Sequence, residues 1–242
     1  MISFCGKSIL LDIEGTTASV DFVHDVMFPF VTRNLPGFLD QTWGQTETTA
    51  ACERIAQDAG FASLQAWGLA TGSPARTLVE QQVDELMRGD VKATGLKAMQ
   101  GLVWKAGFDS GELIAPIYDD VLPALKLWNE MKLDVRIYSS GSIAAQKLFF
   151  GHTQYGDVLH YFRGHYDTTI GGKKDSESYR KIASDMGVAP HDILFVSDLE
   201  GELEAAQAAG VQVAAAIRPG NKPLSDQASF PTIFSFAEIV NA

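Results

Sequence analysis

Ser8-Ile9-Leu10-Leu11-Asp12-Ile13-Glu14-Gly15-Thr16-Thr17 runs from an apolar stretch straight into a polar, glycine-containing turn. So short and continuous an apolar run reads as a buried strand over residues 8–12, broken by Glu14-Gly15. Two further stretches repeat the pattern. Val135-Arg136-Ile137-Tyr138 ends in Ser139-Ser140-Gly141-Ser142, and Ile193-Leu194-Phe195-Val196 ends in Ser197-Asp198-Leu199-Glu200-Gly201-Glu202. Helical patterns lie between them. Val121, Leu125 and Trp128 share one face, a helix is expected near 142–150, and Tyr179, Ile182, Ala183 and Met186 form another stripe. A helix through Leu203 and Ala206 ends at Gly210, ahead of an apolar strand at 211–217. Strands spaced by helices of this length predict right-handed parallel crossovers. The fold class is therefore α/β, with a doubly wound, mostly parallel sheet whose ligands sit beyond the carboxyl ends of its strands.

The character changes between residues 20 and 115, where no strong strand pattern occurs. Helices are expected over Thr46–Gly60, Arg76–Gly89 and Leu96–Ala106, with Val79, Val83, Leu86 and Met87 on one face of the second. Pro36-Gly37, Gly72-Ser73-Pro74 and Gly107 read as punctuation. The expected organisation is an α/β core from residues 1–19 and 116–242, with 20–115 as an inserted helical cap.

The 242 residues are 46% hydrophobic and 20% charged, as in an ordinary soluble globular protein. With 19 basic against 30 acidic residues the net charge is −11, and no dense Lys/Arg run occurs. That balance excludes nucleic-acid and anionic-membrane partners, which need a basic surface. Cys5 and Cys52 are too few and too far apart for a metal framework, and read as reduced packing residues. No stretch approaches membrane-spanning length and no targeting segment is evident, so the expected location is the cytoplasm.

The strand-end clusters carry the chemistry. Asp12 could ligate a divalent cation or attack phosphorus, although Asp is also common in turns and caps. Lys173, after Gly171-Gly172, could neutralise phosphate charge; Lys174 is its rival, and the sequence around it is not a P-loop. Asp198 and Glu202 are spaced to share one ion, but could instead cap and favour a helix N-terminus. Ser139 and Ser140 could donate to phosphate oxygens or cap the next helix. Taken singly, each has a structural explanation. Four such groups in this order, three at strand ends, point to Mg2+-assisted chemistry on a phosphorylated substrate.

The order Asp12, Ser139, Lys173, Asp198 resembles the four motifs of the haloacid dehalogenase (HAD) phosphatases. More narrowly, Asp12–Thr17 with the stretch Phe22-Val23-His24-Asp25-Val26-Met27-Phe28-Pro29-Phe30 resembles the enolase-phosphatases of methionine salvage. Ile137–Ser142 with Ala145–Leu148, Gly151-His152, Gly171–Lys173 with Glu177–Ala183, and Arg218-Pro219-Gly220-Asn221 extend the similarity. It covers most of the chain and thins between about 40 and 110. Glu14 stands where a general HAD enzyme carries Asp.

The resemblance implies a HAD-like core with a cap that selects the substrate, and a monomer. It implies Asp12, the Glu14 carbonyl and Asp198 as Mg2+ ligands, with Asp12 as phosphoryl acceptor and Glu202 orienting the outer shell. Ser139 and Ser140 would hold the phosphate and Lys173 would balance its charge. The implied substrate is a small phosphorylated diketone, 2,3-diketo-5-methylthiopentyl-1-phosphate. Enolisation and dephosphorylation convert it to 1,2-dihydroxy-3-keto-5-methylthiopentene and phosphate. Another HAD phosphatase, a phosphomutase, or a non-enzymatic protein on the same scaffold are the alternatives. Glu14, one methylene longer than Asp, is a candidate proton shuttle. Phe28, Phe30 and Trp67 could contact a methylthio tail or simply pack; His24 and Asp25 could face a pocket or solvent.

Overall fold

The computed structural model describes residues 1–89, 91 and 93–241. Residues 90 and 92 of the expected cap, and 242 of the expected core, lie outside the described residues. The chain divides into two compact units, Met1–Val23 with Ile114–Ala242, and His24–Leu113.

The first unit is built on six parallel strands in the order β4-β3-β2-β5-β6-β7. These are β2 (Ser8–Leu11), β3 (Asp134–Tyr138), β4 (Gly164–Tyr166), β5 (Ile193–Ser197), β6 (Gln212–Ala216) and β7 (Thr232–Ile233). Every residue of β2 and β5 is buried, as continuous apolar runs in a doubly covered parallel sheet should be. Helices α6 (Val121–Glu130), α7 (Ile143–Gly151), α8 (Ser176–Met186) and α9 (Glu200–Ala208) connect the strands. Their apolar stripes supply the core; Tyr179, Ile182, Ala183, Leu203 and Ala206 cluster with Leu10, Tyr138 and Phe195. After β2 the chain goes to one side of the sheet for β3 and β4, and to the other for β5, β6 and β7. The strand order therefore reverses at β2, which opens the crevice where such sheets bind ligands. A separate parallel pair joins β1 (Ile2–Phe4) to β8 (Ile239–Asn241).

Among the described residues the second unit holds only helices: α1 (Phe28–Thr42), α2 (Thr46–Asp58), α3 (Leu64–Thr71), α4 (Ala75–Arg88) and α5 (Thr94–Asp109). Two of the expected breaks are corrected here. Pro36 and Gly37 lie inside α1, and Gly107 lies inside α5. A proline costs one helical hydrogen bond, but α1 buries Phe30, Val31, Leu35 and Leu39 across it, and that packing outweighs local propensity. Gly107 is a contact point: a Cβ there would meet the Phe30 ring at 2.4 Å. Gly72 does end α3, in the left-handed conformation with φ 69°. Cys52 is buried as expected of a packing residue, whereas Cys5 is exposed.

Two glycines of α5 make opposite predictions for one substitution. A Cβ on Gly95 would sit 2.4 Å from the Ile55 nitrogen of α2, whereas one on Gly101 would meet nothing within 4 Å. Gly95→Ala should destabilise by about 1–3 kcal/mol through overpacking. Gly101→Ala should stabilise by about 0.5–1 kcal/mol through helix propensity. Thermal unfolding of the two variants checks the difference in sign.

Candidate functional site

Asp12 follows β2 at the reversal point of the sheet, and its backbone N–H donates to the Val196 carbonyl of β5 at 3.0 Å. Its carboxylate is buried. Oδ1 accepts from the Ile13 N–H at 2.7 Å and from Lys173 Nζ at 2.6 Å. The same Nζ donates to Glu202 Oε2 at 2.6 Å. Burial alone would lower the Lys173 pKa, but the charges of Asp12 and Glu202 outweigh it, so the ammonium is held above its usual range. Lys174, the rival, is exposed.

The sequence builds the Lys173 loop from hydroxyls. Tyr138 donates to the Gly171 carbonyl at 2.9 Å, Ser178 to that of Gly172 at 2.8 Å, and Tyr179 to that of Lys173 at 2.6 Å. Gly171 has φ 146°, and a Cβ there would lie 2.1 Å from Ser178 Oγ. The rings of Tyr138 and Phe195 flank Nζ at 5.8 and 5.9 Å. Buried, doubly paired and walled by aromatics, Lys173 has no rotamer freedom to spend.

Asp198 does not cap α9. Leu199 occupies the cap position with no side-chain bond. Instead Asp198 Oδ2 lies against Gly15, 2.4 Å from where a Cβ would stand, and Gly15 has φ 69°. Burial, then the charge of Asp12, push Asp198 up to about 7. Glu202 turns to Lys173 and to Ser197, whose Oγ donates to Glu202 Oε2 at 2.9 Å and approaches Asp12 Oδ2 at 3.4 Å. Ser197 is the residue that reading the sequence missed as a participant. Its signal was its position, the polar last residue of an otherwise apolar strand, directly before Asp198.

Ser139 is buried at the end of β3, where its Oγ accepts from the Gly141 N–H at 3.2 Å, and Ser140 is half-buried beside it. Neither caps α7. Ser142 does, accepting from the Ala145 N–H at 3.2 Å. Glu14 is half-buried in the turn after Asp12, with its backbone bridged to Ala18. Thus Asp12, Lys173, Glu202 and Ser197 are joined by hydrogen bonds, and Asp198 is electrostatically coupled to them. Ser139 and Ser140 end the strand beside β2.

Residues of the helical unit pack within it. Phe28 stacks with Trp104 at 6.3 Å, Trp67 with Phe61 at 5.6 Å, and Phe30 is buried, while His24 and Asp25 are exposed. A groove of about 560 Å3, lined by Phe38, Thr42, Leu102 and Lys105 among others, lies in this unit and contains none of the strand-end residues.

The donor set suits Mg2+. Burial and the neighbouring charge of Asp12 raise the proton affinity of Asp198, which creates a demand for a hard cation, and Mg2+ takes one or two carboxylates while keeping waters. Among the described residues no group of three or more His, Cys, Asp or Glu has metal-holding geometry, so an all-side-chain cage is not what is built. Asn221 Oδ1, buried beside Gly15 without a hydrogen-bond partner, adds an unused acceptor at the same place.

A sign follows for Asp198. Its folded-state pKa, about 7, lies above the unfolded value of about 3.9. Its contribution to metal-free stability is therefore complete below pH ~4 and is lost as pH rises through ~7. In chelator, Asp198→Asn should gain Tm relative to the parent as pH rises from 4 to 7. Thermal unfolding of the two proteins side by side measures that gap.

Residues 7–210 match the haloacid dehalogenase-like hydrolase family. The enolase-phosphatase E1 of Aquifex aeolicus is 44% identical over 96% of this chain and 98% of its own. A Populus trichocarpa protein described as a probable bifunctional methylthioribulose-1-phosphate dehydratase/enolase-phosphatase E1 is 41% identical over 96% of this chain and 47% of its own. The crystal structure of the UTR4 protein of Saccharomyces cerevisiae superposes with a TM-score of 0.81 at 32% identity, covering 97% of this chain and all of that one. With these similarities running nearly end to end, the chain belongs to the enolase-phosphatase E1 family of haloacid dehalogenase-like hydrolases.

Proposed function

We propose that this protein is a Mg2+-dependent enolase-phosphatase of methionine salvage. It converts 2,3-diketo-5-methylthiopentyl-1-phosphate to the acireductone 1,2-dihydroxy-3-keto-5-methylthiopentene and phosphate. The observation that carries the reading is the buried Lys173 ammonium, 2.6 Å from both Asp12 and Glu202, at the reversal point of the parallel sheet. The family relatives supply the reaction class, and the Populus relative joins an enolase-phosphatase to a methylthioribulose-1-phosphate dehydratase in its name.

In this reading Asp12, the Glu14 carbonyl and Asp198 hold Mg2+. A bound Mg2+ would supply Lewis acidity that makes the C–H beside a diketone oxygen easier to deprotonate, and charge that offsets the phosphoryl group. Asp12 attacks phosphorus, its carboxylate forming a new bond as the ester oxygen leaves, and water later hydrolyses the aspartyl phosphate. Lys173 is fixed by Glu202 and balances the charge of the nucleophile and the phosphoryl oxygens. Ser139 and Ser140 donate to those oxygens. Glu14 carries the proton to the leaving oxygen and takes one from the attacking water. Residues 20–115 select the substrate.

The protein works as a cytoplasmic monomer on a small phosphorylated substrate, without nucleic-acid or membrane partners. No helix among the described residues is long and apolar enough to cross a membrane, and the net charge of −11 supports the first exclusion.

The test supplies the diketone phosphate with Mg2+ and follows enol absorbance and phosphate together. Both should appear. Phosphate from many simple esters, with no enol, would assign the chain to another HAD phosphatase or phosphomutase. Glu14→Gln, measured on each step, tests the shuttle: unchanged rates in both would remove Glu14 from the mechanism.

A further inference from the structure

The loop after β6, Arg218-Pro219-Gly220-Asn221, reaches back 200 positions to the turn after Asp12. Arg218 Nε donates to the Thr16 carbonyl at 3.1 Å, and Asn221 Nδ2 donates to that of Gly15 at 2.9 Å and to that of Ala216 at 3.1 Å. Asn221 therefore ties the turn directly to the end of β6. With its nitrogen facing two carbonyls, its Oδ1 must face away from both. That oxygen is buried without a partner, 2.9 Å from where a Gly15 Cβ would be, on the same side as Asp198 Oδ2.

Arg218 is held through Nε and Nη1, while its Nη2 is buried without a hydrogen-bond partner. It is buried, ion-paired to Asp120 Oδ2 at 2.9 Å, and flanked by Tyr118 and Phe236 with its guanidinium carbon 4.6 and 4.8 Å from the ring centroids. Nη1 also donates to the Phe234 carbonyl at 3.0 Å. Burying a guanidinium is costly unless it is paired. Spending that cost on one carbonyl of the turn indicates that the position of the turn matters. Mg2+ demands near-ideal octahedral geometry, so the backbone that presents its ligands has little tolerance for displacement.

We propose that Arg218 and Asn221 are positioning residues of the cation site. Their side chains fix the Thr16 and Gly15 carbonyls, and so the turn that presents Asp12 and Glu14. Asn221 Oδ1 accepts a hydrogen bond from a water of the ion's hydration shell. The inference rests on the proposed assignment of Mg2+ to Asp12, Glu14 and Asp198.

Calorimetric titration with MgCl2, without substrate, tests it on the parent, Asn221→Ala and Arg218→Lys. The lysine keeps the charge facing Asp120 but loses the Nε donor. In both variants Kd for Mg2+ should rise about 10–100-fold, the range found when outer-shell partners of metal ligands are removed. The Mg2+ concentration giving half-maximal phosphate release should shift by the same factor. Folded variants that bind Mg2+ within about twofold of the parent would overturn the inference while leaving the cation reading intact. Absence of Mg2+ binding by the parent would sink both. Should Asn221→Ala not fold, Asn221→Ser takes its place; failure of all three variants to fold would make the loop a requirement of folding and overturn the positioning role.

Discussion

Asp12→Asn is expected to abolish phosphate release, lowering kcat by about 10⁴-fold or more, the order seen when a covalent nucleophile is removed. An amide oxygen can still accept from the Ile13 N–H and Lys173 Nζ, the two groups that Oδ1 serves at 2.7 and 2.6 Å. The site should therefore keep its shape while losing the charge that attacks phosphorus. Phosphate release under saturating substrate, with circular dichroism as the control for folding, measures the effect. A folded variant that turns over within tenfold of the parent would remove Asp12 as the phosphoryl acceptor. Loss of turnover with folding intact would also dispose of the alternative that this scaffold serves a non-enzymatic role.

Lys173→Met should damage both stability and turnover. The substitution keeps much of the side-chain volume but leaves Asp12 and Glu202 buried without their shared counter-charge. Breaking a buried pair in this way costs about 3–5 kcal/mol. For a chain of this size that corresponds to a fall in Tm of about 6–20 °C. The deficit should shrink as pH is lowered, because protonation removes the uncompensated negative charge. Adding Glu202→Gln should recover part of the lost Tm and none of the lost turnover, since the stability term is one of charge balance and the catalytic term needs a cation at Nζ. Recovery of activity in the double variant would mean that Lys173 acts only through the fold.

The elements legible in the sequence were the strands of four or five residues with a dominant apolar pattern. β2 and β5, at the expected 8–12 and 192–196, are apolar runs that the parallel sheet buries on both faces, whereas β3 at 134–138 buries Val135, Ile137 and Tyr138 and leaves Asp134 and Arg136 half-buried. The strands β1, β4, β7 and β8 were not legible, because runs of two or three residues become strands only through partners elsewhere; Ile2 pairs with Ile239. Local punctuation misled at Pro36-Gly37 and Gly107, where tertiary packing decided instead. The long α1 buries four large residues across its proline, and Gly107 makes room for Phe30.

The site divides along the same line. Asp12, Ser139 and Asp198 were visible because they end strands that the sheet must align. The choice of Lys173 over Lys174 needed the loop, in which three hydroxyls turn one lysine inward. The direction of Glu202, towards Lys173, depends on Ser197 and on the pitch of α9, and neither is written in spacing alone. Arg218 and Asn221 were visible only as part of a resemblance. Their contacts cross more than 200 positions, beyond anything local periodicity can register.

The connectivity also sets an order of events during synthesis. Within the six-stranded sheet the central strand leaves the ribosome first, yet Leu11 meets its neighbour Val196 only after 185 further positions have been made. At roughly 5–20 residues per second, that is a delay of about 10–40 s. The helices of residues 24–113 rely on nearer contacts and can condense during that interval. Ile9, Leu10 and Leu11 meanwhile remain an uncovered apolar edge, open to pairing with another nascent chain. A holdase that covers this strand while it waits should therefore raise the yield of folded protein, which soluble expression with and without added holdase would measure.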